Sequence, residues 1–378
     1  MLSSPEVGVP VLRTRQARIR SIVFSIIIAC AVAALILLLT TFSGRPGLTG
    51  GGSTLAQPLL QQAAAAFRES VAADDPNNPQ NTALDWVVEG SGIDYEPVGS
   101  MGGILRLQEG QTDFAVSDYP LSEQSLNESG LAQFPIAIGA VAVVHNLDLP
   151  GATPLRLDAA SLARIYLGQI TRWNDPALTA QNPGVALPDL AITPVHRSDG
   201  SGSTFGFTAY LAAEQGWAQG PGQGPLITWP TGPGAERSGG LLQTVAATAG
   251  ALGYADPGQA AAAGLSVAAL KNTAGGYTQP GADTMRAAIE GEQWSSAAQF
   301  AAPLTSSSSP QAYPVTVAIY AMVSRAQDKV TDRRRVLGFL TYLIEDYDTG
   351  TQALGYLPLP ANAAKAVRDY WASSLDHR

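Results

Sequence analysis

The sequence predicts an α/β protein with mostly parallel sheets, on three grounds. From residue 53 onward, short apolar runs alternate with helical periodicities, the pattern of strand–helix–strand units. The composition, 46 % apolar and 14 % charged, supports a packed core and excludes wholesale disorder. Ile136 to His145 is almost uninterrupted apolar sequence, as expected of a parallel strand buried on both faces. The 378 residues are chain enough for about two or three domains.

Charge is unevenly spread. Within residues 1–45, Arg13, Arg15, Arg18, Arg20 and Arg45 face one acid, Glu6, a net of +4; a chain at −9 then leaves −13 for the remainder. Between Arg20 and Arg45 runs SIVFSIIIACAVAALILLLTTFSG, without a charge. Its apolar part, Ile22 to Phe42, is about 21 residues, and at about 1.5 Å per residue it spans a hydrocarbon layer of about 30 Å. Residues 1–20 thus read as a basic cytoplasmic N-terminus and 21–43 as a transmembrane anchor or uncleaved signal. Everything after Phe42 is then extracytoplasmic, on a single-pass protein of the cell membrane. Two rival readings stand beside this one. A cleaved signal peptide has a shorter apolar stretch, and Thr40-Thr41-Phe42-Ser43-Gly44 is a poor cleavage site. Ile27-Ile28-Ala29-Cys30 loosely fits a lipoprotein box, yet about twelve apolar residues follow Cys30. In an anchor, Cys30 is a small apolar residue. Being the only cysteine, it excludes internal disulfides and Cys-based zinc sites. The acidic total argues against broad nucleic-acid binding.

Ser53-Thr54 read as a helix N-cap, with Leu55, Leu59, Leu60, Ala63 and Phe67 following at helical spacing. DDPNNPQNT is a polar loop and Leu84 to Val88 a short strand. Gly99-Ser100-Met101-Gly102-Gly103 opens a second helix, and Asp113 to Val116 is a strand ending at Ser117-Asp118. After the Ile136–His145 run, Leu190 to Val195 is a strand leading into HRSDGSGST, and Phe205 to Glu214 a helix. The Gly/Pro stretch 222–240 is a long loop; Ala251 to Tyr254 and Val315 to Val323 are strands, with a polar break at Thr305–Pro310 between them. Thr331 to Asp346 and Asn362 to Leu375 are helices.

Several chemistries are unsupported. None of Lys271, Lys329 and Lys365 sits in a P-loop, there is no GxGxxG or G-x-S-x-G, and His145, His196 and His377 are too scattered for an HExxH site. A hydrolytic triad of His196, Asp199 and Ser201 is formally available, but such residues converge from distant loops, and near neighbours in sequence seldom have the geometry.

What recurs is a small-residue turn opening a helix: Gly50-Gly51-Gly52-Ser53-Thr54, Gly99 to Gly103, and Asp199-Gly200-Ser201-Gly202-Ser203-Thr204. A helix start carries unpaired N–H groups and a partial positive charge. Glycine lets an oxyanion come close, and Ser/Thr hydroxyls add donors. Each turn alone is equally a Gly turn with an ordinary Ser/Thr cap. Arg197, at the mouth of the third turn, offers a fixed charge and a bidentate fork, or a surface ion pair with Asp199.

The ordered set LTGGGSTLAQPLL, VGSMGGILRL, TDFAVSDYPLS, FPIAIGAVAVVHNL, IYLGQITRWNDPAL, HRSDGSGSTFGFTAYL and GALGYAD, colinear over roughly residues 48–360, resembles the phosphate-binding protein of the high-affinity phosphate ABC importers. The resemblance implies a type II periplasmic-binding-protein fold, two α/β lobes around a cleft that closes on one dehydrated phosphate. The chain would cross between lobes near 130–136 and 311–315, with 48–132 plus 314–378 forming lobe one and 133–313 lobe two. It also implies a ligand shell. Thr54 matches a hydroxyl and N–H donor, Leu55 a backbone N–H donor where the family has Phe, and Ser100 the second-turn hydroxyl. Asp118 matches the single acidic ligand, Arg197 the cationic one, and Asp199 its partner. Ser201 and Gly202 match third-turn donors, and Ser203 keeps the hydroxyl of the usual Thr. Met101 replaces a small residue, and GAERSGG departs from a Lys-Gly-Asn pattern.

Asp118 carries the most chemistry: a carboxylate facing an anion makes sense only if the ligand has a proton to donate, as hydrogen phosphates do and sulfate does not. The implied function is non-catalytic, without cofactor or metal: a monomer that binds inorganic phosphate and delivers it to the ABC permease subunits. A phosphate sensor or scavenger, or a receptor for another oxyanion, is the alternative on the same fold.

Overall fold

Strand and helix alternate from Leu48 onward. A computed structural model describes residues 47–73, 93–149 and 153–375. The first elements are β1 (Leu48–Gly52), α1 (Gln57–Ala73), β2 (Ile93–Glu96), α2 (Ser100–Gln108), β3 (Phe114–Ser117), α3 (Glu123–Ser129) and β4 (Leu131–Ala140). There follow β5 (Ala142–His145), β6 (Arg156–Leu157), α4 (Ala159–Tyr166), α5 (Pro176–Gln181), β7 (Thr193–Pro194), β8 (His196–Arg197), α6 (Gly202–Leu211) and α7 (Gln215–Ala218). Next come β9 (Gly234–Ala235), α8 (Arg237–Ala247), β10 (Ala251–Ala255), α9 (Pro257–Ala262), β11 (Ser266–Val267), β12 (Ala269–Lys271), β13 (Tyr277–Thr278) and α10 (Ala282–Ile289). The chain closes with β14 (Thr316–Ser324), α11 (Val330–Glu345), α12 (Asp348–Ala353) and α13 (Ala361–Tyr370).

Two main sheets organise these elements into an α/β fold of two lobes. One has the order β2-β1-β3-β14-β4 and the other β11-β5-β10-β7, with the smaller β13-β12-β6 and β8-β9 pairings beside the second. The sheets are mixed, which corrects the expectation of mostly parallel pairing. β1 runs parallel to β2 and β3, but β14 is antiparallel to both β3 and β4. In the second sheet β10 is parallel to β7, while β5 is antiparallel to β10 and β11.

The Ile136–His145 run is likewise two strands, not one. β4 pairs with β14 from Leu131↔Ser324 to Ala140↔Thr316, and β5 pairs with β10 in the other sheet. Both are antiparallel: burial on two faces makes a strand apolar whichever way its neighbours run. The chain therefore changes sheet at Val141, later than the 130–136 expected. Val141 N–H donates to Val315 O (2.9 Å), so the outgoing and returning segments lie side by side at the crossing.

In α1 the predicted Leu59, Leu60, Ala63 and Phe67 are all buried, as an amphipathic helix requires. They pack with Phe114 and with Phe339 of α11; the Phe67 and Phe339 rings lie 5.6 Å apart. Each of the Leu and Phe side chains contributes about 1.5–3 kcal/mol on burial. The second lobe has its own aromatic core, where Phe207 stacks on Tyr254 at 4.5 Å beside Tyr166.

Some boundaries differ from expectation. α6 begins at Gly202 rather than Phe205, because Ser201 caps it. The Leu190–Val195 strand shrinks to Thr193–Pro194, and the last helix ends at Tyr370, with a π-type turn over Trp371–Leu375. The expected loop 74–82, the Leu84–Val88 strand and the apolar run 21–43 lie outside the described residues. Among the described residues no helix is long and apolar enough to cross a membrane.

Candidate ligand-binding site

Three turns meet where the two lobes face each other. At the first, Ser53 N–H donates to Val116 O (2.8 Å), tying the end of β1 to β3, and Ser53 Oγ accepts from the N–H groups of Leu55 and Ala56 (both 3.1 Å). That cap turns the chain into α1 and leaves Thr54 at the tip. The second turn is stapled to the first by Gly99 N–H donating to Gly52 O (2.9 Å). Gly99 has φ 85°, and a Cβ there would lie 2.6 Å from Asp199 Oδ2. Only glycine combines that backbone with that approach. The third turn follows β8. Arg197 N–H donates to Tyr254 Oη (3.0 Å), which bonds Thr204 Oγ1 (2.8 Å), so the aromatic core of the second lobe fixes Arg197.

The turns form one polar cluster. Asp118 accepts from Ser100 Oγ at Oδ1 (2.7 Å) and from Ser203 Oγ at Oδ2 (2.8 Å); Ser100 Oγ in turn accepts from Gly202 N–H (3.1 Å). A side chain at position 202 would collide with Asp118. Arg197 Nε donates to Asp199 Oδ1 (2.6 Å), Nη2 pairs with Asp199 Oδ2, and Nη1 donates to Thr54 Oγ1 (3.0 Å). The bidentate fork holds the guanidinium plane rigid, and the Arg197 side chain is only 2 % exposed. Thr54, Ser100, Asp118, Ser201 and Ser203 are buried as well.

Burial pushes the Asp199 carboxyl up, but the Arg197 guanidinium and the Arg237 N–H outweigh it and hold it below its ordinary range. Asp199 therefore anchors Arg197 as a carboxylate. Burial, aided by the charge of Asp118, raises Tyr95 well above its usual value, so its hydroxyl stays a donor; it reaches Ser53 O at 2.8 Å.

Of the nine residues singled out, direct hydrogen bonds join Ser100, Asp118, Gly202 and Ser203 in one network and Thr54, Arg197 and Asp199 in a second. Ser201 is adjacent, but its hydroxyl accepts from Thr204 N–H (3.3 Å) as the cap of α6. Leu55 directs its N–H to Ser53 Oγ, while its carbonyl accepts from Tyr356 Oη (2.7 Å) and Gln259 Nε2 (3.2 Å). Met101 N–H donates to Gly200 O (3.2 Å), and its side chain packs against the small apolar cluster that contains Ile104, Leu107 and Met322. Ser238, Gln259 and Tyr356 also touch the first turn and were not legible in the sequence. Ser238 lies in the first turn of α8, within a Gly-rich stretch that reads as loop in the sequence.

A buried polar cluster between two α/β lobes joined by paired crossing segments defines a two-lobed solute-binding protein. In keeping with this, a family model described as a PBP superfamily domain matches residues 40–346. The chain is 35 % identical over 329 residues to the phosphate-binding protein PstS of Xylella fastidiosa strain 9a5c, covering 87 % of this chain and 85 % of that one. To the PstS protein of Pasteurella multocida strain Pm70 it is 32 % identical over 329 residues, covering 87 % and 90 %. The chain belongs to this family of phosphate-binding proteins. Among solved structures, the high-affinity periplasmic phosphate-binding protein PfluDING, bound with phosphate, shares the fold with a TM-score of 0.63 and 23 % identity over 85 % of this chain and 93 % of that one.

Proposed function

We propose that this protein captures inorganic phosphate outside the cell membrane and hands it to the permease of an ABC importer. The observation that carries the reading is Asp118: a buried carboxylate placed in a cluster whose other ligand groups are donors. Thr54, Ser100, Ser201 and Ser203 offer hydroxyls, Leu55 and Gly202 offer backbone N–H groups, and Arg197, held by Asp199, offers the balancing charge. A fully ionised oxyanion has nothing to give Asp118 and is repelled by it. A hydrogen phosphate donates its proton there, and the contact becomes attractive. To reach a ligand these donors have to share or leave the acceptors they now have: Ser53 Oγ for the Leu55 N–H, Ser100 Oγ for the Gly202 N–H, Asp118 for the Ser100 and Ser203 hydroxyls, and Ser238 Oγ for that of Thr54.

The apolar run 21–43 serves in this reading as a single-pass anchor with a cytoplasmic N-terminus, and the receptor acts as a monomer. The hinge is the crossing pair at Val141 and Val315, with the two lobes closing on the ligand. No step breaks a bond: the protein turns over no chromogenic phosphoester, and measurable turnover abolished by Ser201→Ala would contradict this.

Titration calorimetry is the direct test. The expected result is tight 1:1 phosphate binding that excess sulfate hardly competes. Equal binding of both anions, or of neither, overturns the reading. Asp118→Asn should narrow the preference for phosphate over sulfate; an unchanged ratio removes the proton-reading role.

A further inference from the structure

We propose that Ser238, at the start of α8, is a further ligand residue of this site and donates its hydroxyl to the bound oxyanion beside Thr54 and Arg197. The proposal rests on the phosphate-binding reading and adds to it a fourth turn.

Ser238 is as deeply placed as the residues of the other turns, at 2 % exposure. Its Oγ lies 2.7 Å from Thr54 Oγ1 and 3.5 Å from Arg197 Nη1, and its N–H donates to Thr54 Oγ1 (3.3 Å). Counting protons locates the spare one. A hydroxyl has one hydrogen and two lone pairs. Thr54 Oγ1 accepts from Arg197 Nη1 and from Ser238 N–H, which uses both lone pairs. Its hydrogen therefore goes to Ser238 Oγ. Ser238 Oγ is then an acceptor in this contact, and its own O–H finds no acceptor among the described residues. The Ser100 and Ser203 hydroxyls, by contrast, already donate to Asp118. Ser238 thus places a hydroxyl donor beside the Thr54 hydroxyl and the Arg197 guanidinium.

The backbone shows what holds it there. Arg237 has φ 59°, left-handed for a residue that is not glycine, a conformation that costs free energy and persists only when its surroundings require it. That turn directs Arg237 N–H to Asp199 Oδ1 (3.0 Å) and, one residue on, Ser238 N–H and Oγ to Thr54. α8 runs eleven residues to Ala247, so its positive end faces the cluster as well.

The test has two parts. In a crystal structure of the wild-type protein with phosphate, Ser238 Oγ should lie about 2.5–3.0 Å from a ligand oxygen; a separation beyond hydrogen-bonding reach overturns the proposal. By calorimetry, Ser238→Ala should weaken phosphate binding roughly tenfold to a hundredfold, the range for a lost hydrogen bond to a charged group. No weakening would leave Ser238 without a role and overturns the proposal, while weakening without the contact in the crystal structure would mean that Ser238 only braces Thr54 and overturns it too. Failure of the wild-type protein to bind phosphate at all would instead sink the underlying reading.

Discussion

Asp256→Asn isolates a buried proton. Asp256 follows β10 and caps α9, accepting from Gln259 N–H at 2.9 Å, and it is buried. Burial drives its pKa from 3.8 up to about 7; N–H groups of Gln259 and Gly258 and the Tyr356 hydroxyl offset this in part, and the charge of Asp118 adds to it. The folded protein thus holds this proton more tightly than the unfolded chain does. The group's stabilising contribution is complete below pH 3.8 and is lost as pH rises through about 7. A shift of about three units corresponds to about 4 kcal/mol at 1.36 kcal/mol per unit, more than half of which falls between pH 5 and 8. Asparagine keeps the shape and the cap without the proton. Urea unfolding of both proteins at pH 5, 6, 7 and 8 should show the wild type losing about that much more stability across the range than the variant. Parallel pH profiles would show that the carboxyl ionises in the fold at no cost, and would refute the reasoning.

Other perturbations have equally definite outcomes. His145 is buried, and burial lowers its pKa from 6.5 to about 4; stability attributable to it is full above pH 6.5 and declines by about 3 kcal/mol as pH falls toward 4, a decline that His145→Gln should flatten in the same unfolding series. Gly99→Ala meets both the positive φ and Asp199, and should lower stability by about 2 kcal/mol or more with a matching loss of phosphate affinity in calorimetry. Arg237→Gly relieves the left-handed residue at φ 59° and should raise stability by about 1 kcal/mol in thermal unfolding; a lower melting temperature would show that the side chain matters more than the strain. Arg197→Lys keeps a charge but not the fork to Asp199, and should weaken phosphate binding by about tenfold or more, read by calorimetry.

How much of this was legible depended on whether the signal was local. The turns GGGST, GSMGG and DGSGST were readable because glycine and a hydroxyl side by side mark a helix start wherever they occur. Asp118 was readable as the end of a short apolar strand, and α1 as an apolar stripe at helical spacing. The switch of sheets at Val141 was not: β4 and β5 are continuous apolar sequence, and burial reports nothing about strand direction. β2, IDYE, has too few apolar residues to stand out. Ser238 was hidden for a different reason, since the left-handed turn at Arg237 that aims it is imposed by contacts with Asp199 and Thr54 and has no signature in GAERSGG. Gln259 and Tyr356 bear on the site through backbone carbonyls, and a carbonyl acceptor leaves no trace in side-chain identity.

The seating of β14 between β3 and β4 governs the order in which the molecule can be assembled. β4 ends at Ala140 and β14 begins at Thr316, so the first sheet waits for its inner strand until the whole second lobe has been synthesised. During that interval β3 and β4 each present an open edge, the surface on which strands of other chains can add. The strands of the second sheet, by contrast, all lie between Ala142 and Val267 and can pair early. Closing so long a loop is slow, and the late step should be the docking of β14. A chain cut before Thr316 would accordingly give a sticky, half-built sheet beside a folded lobe rather than a smaller working receptor.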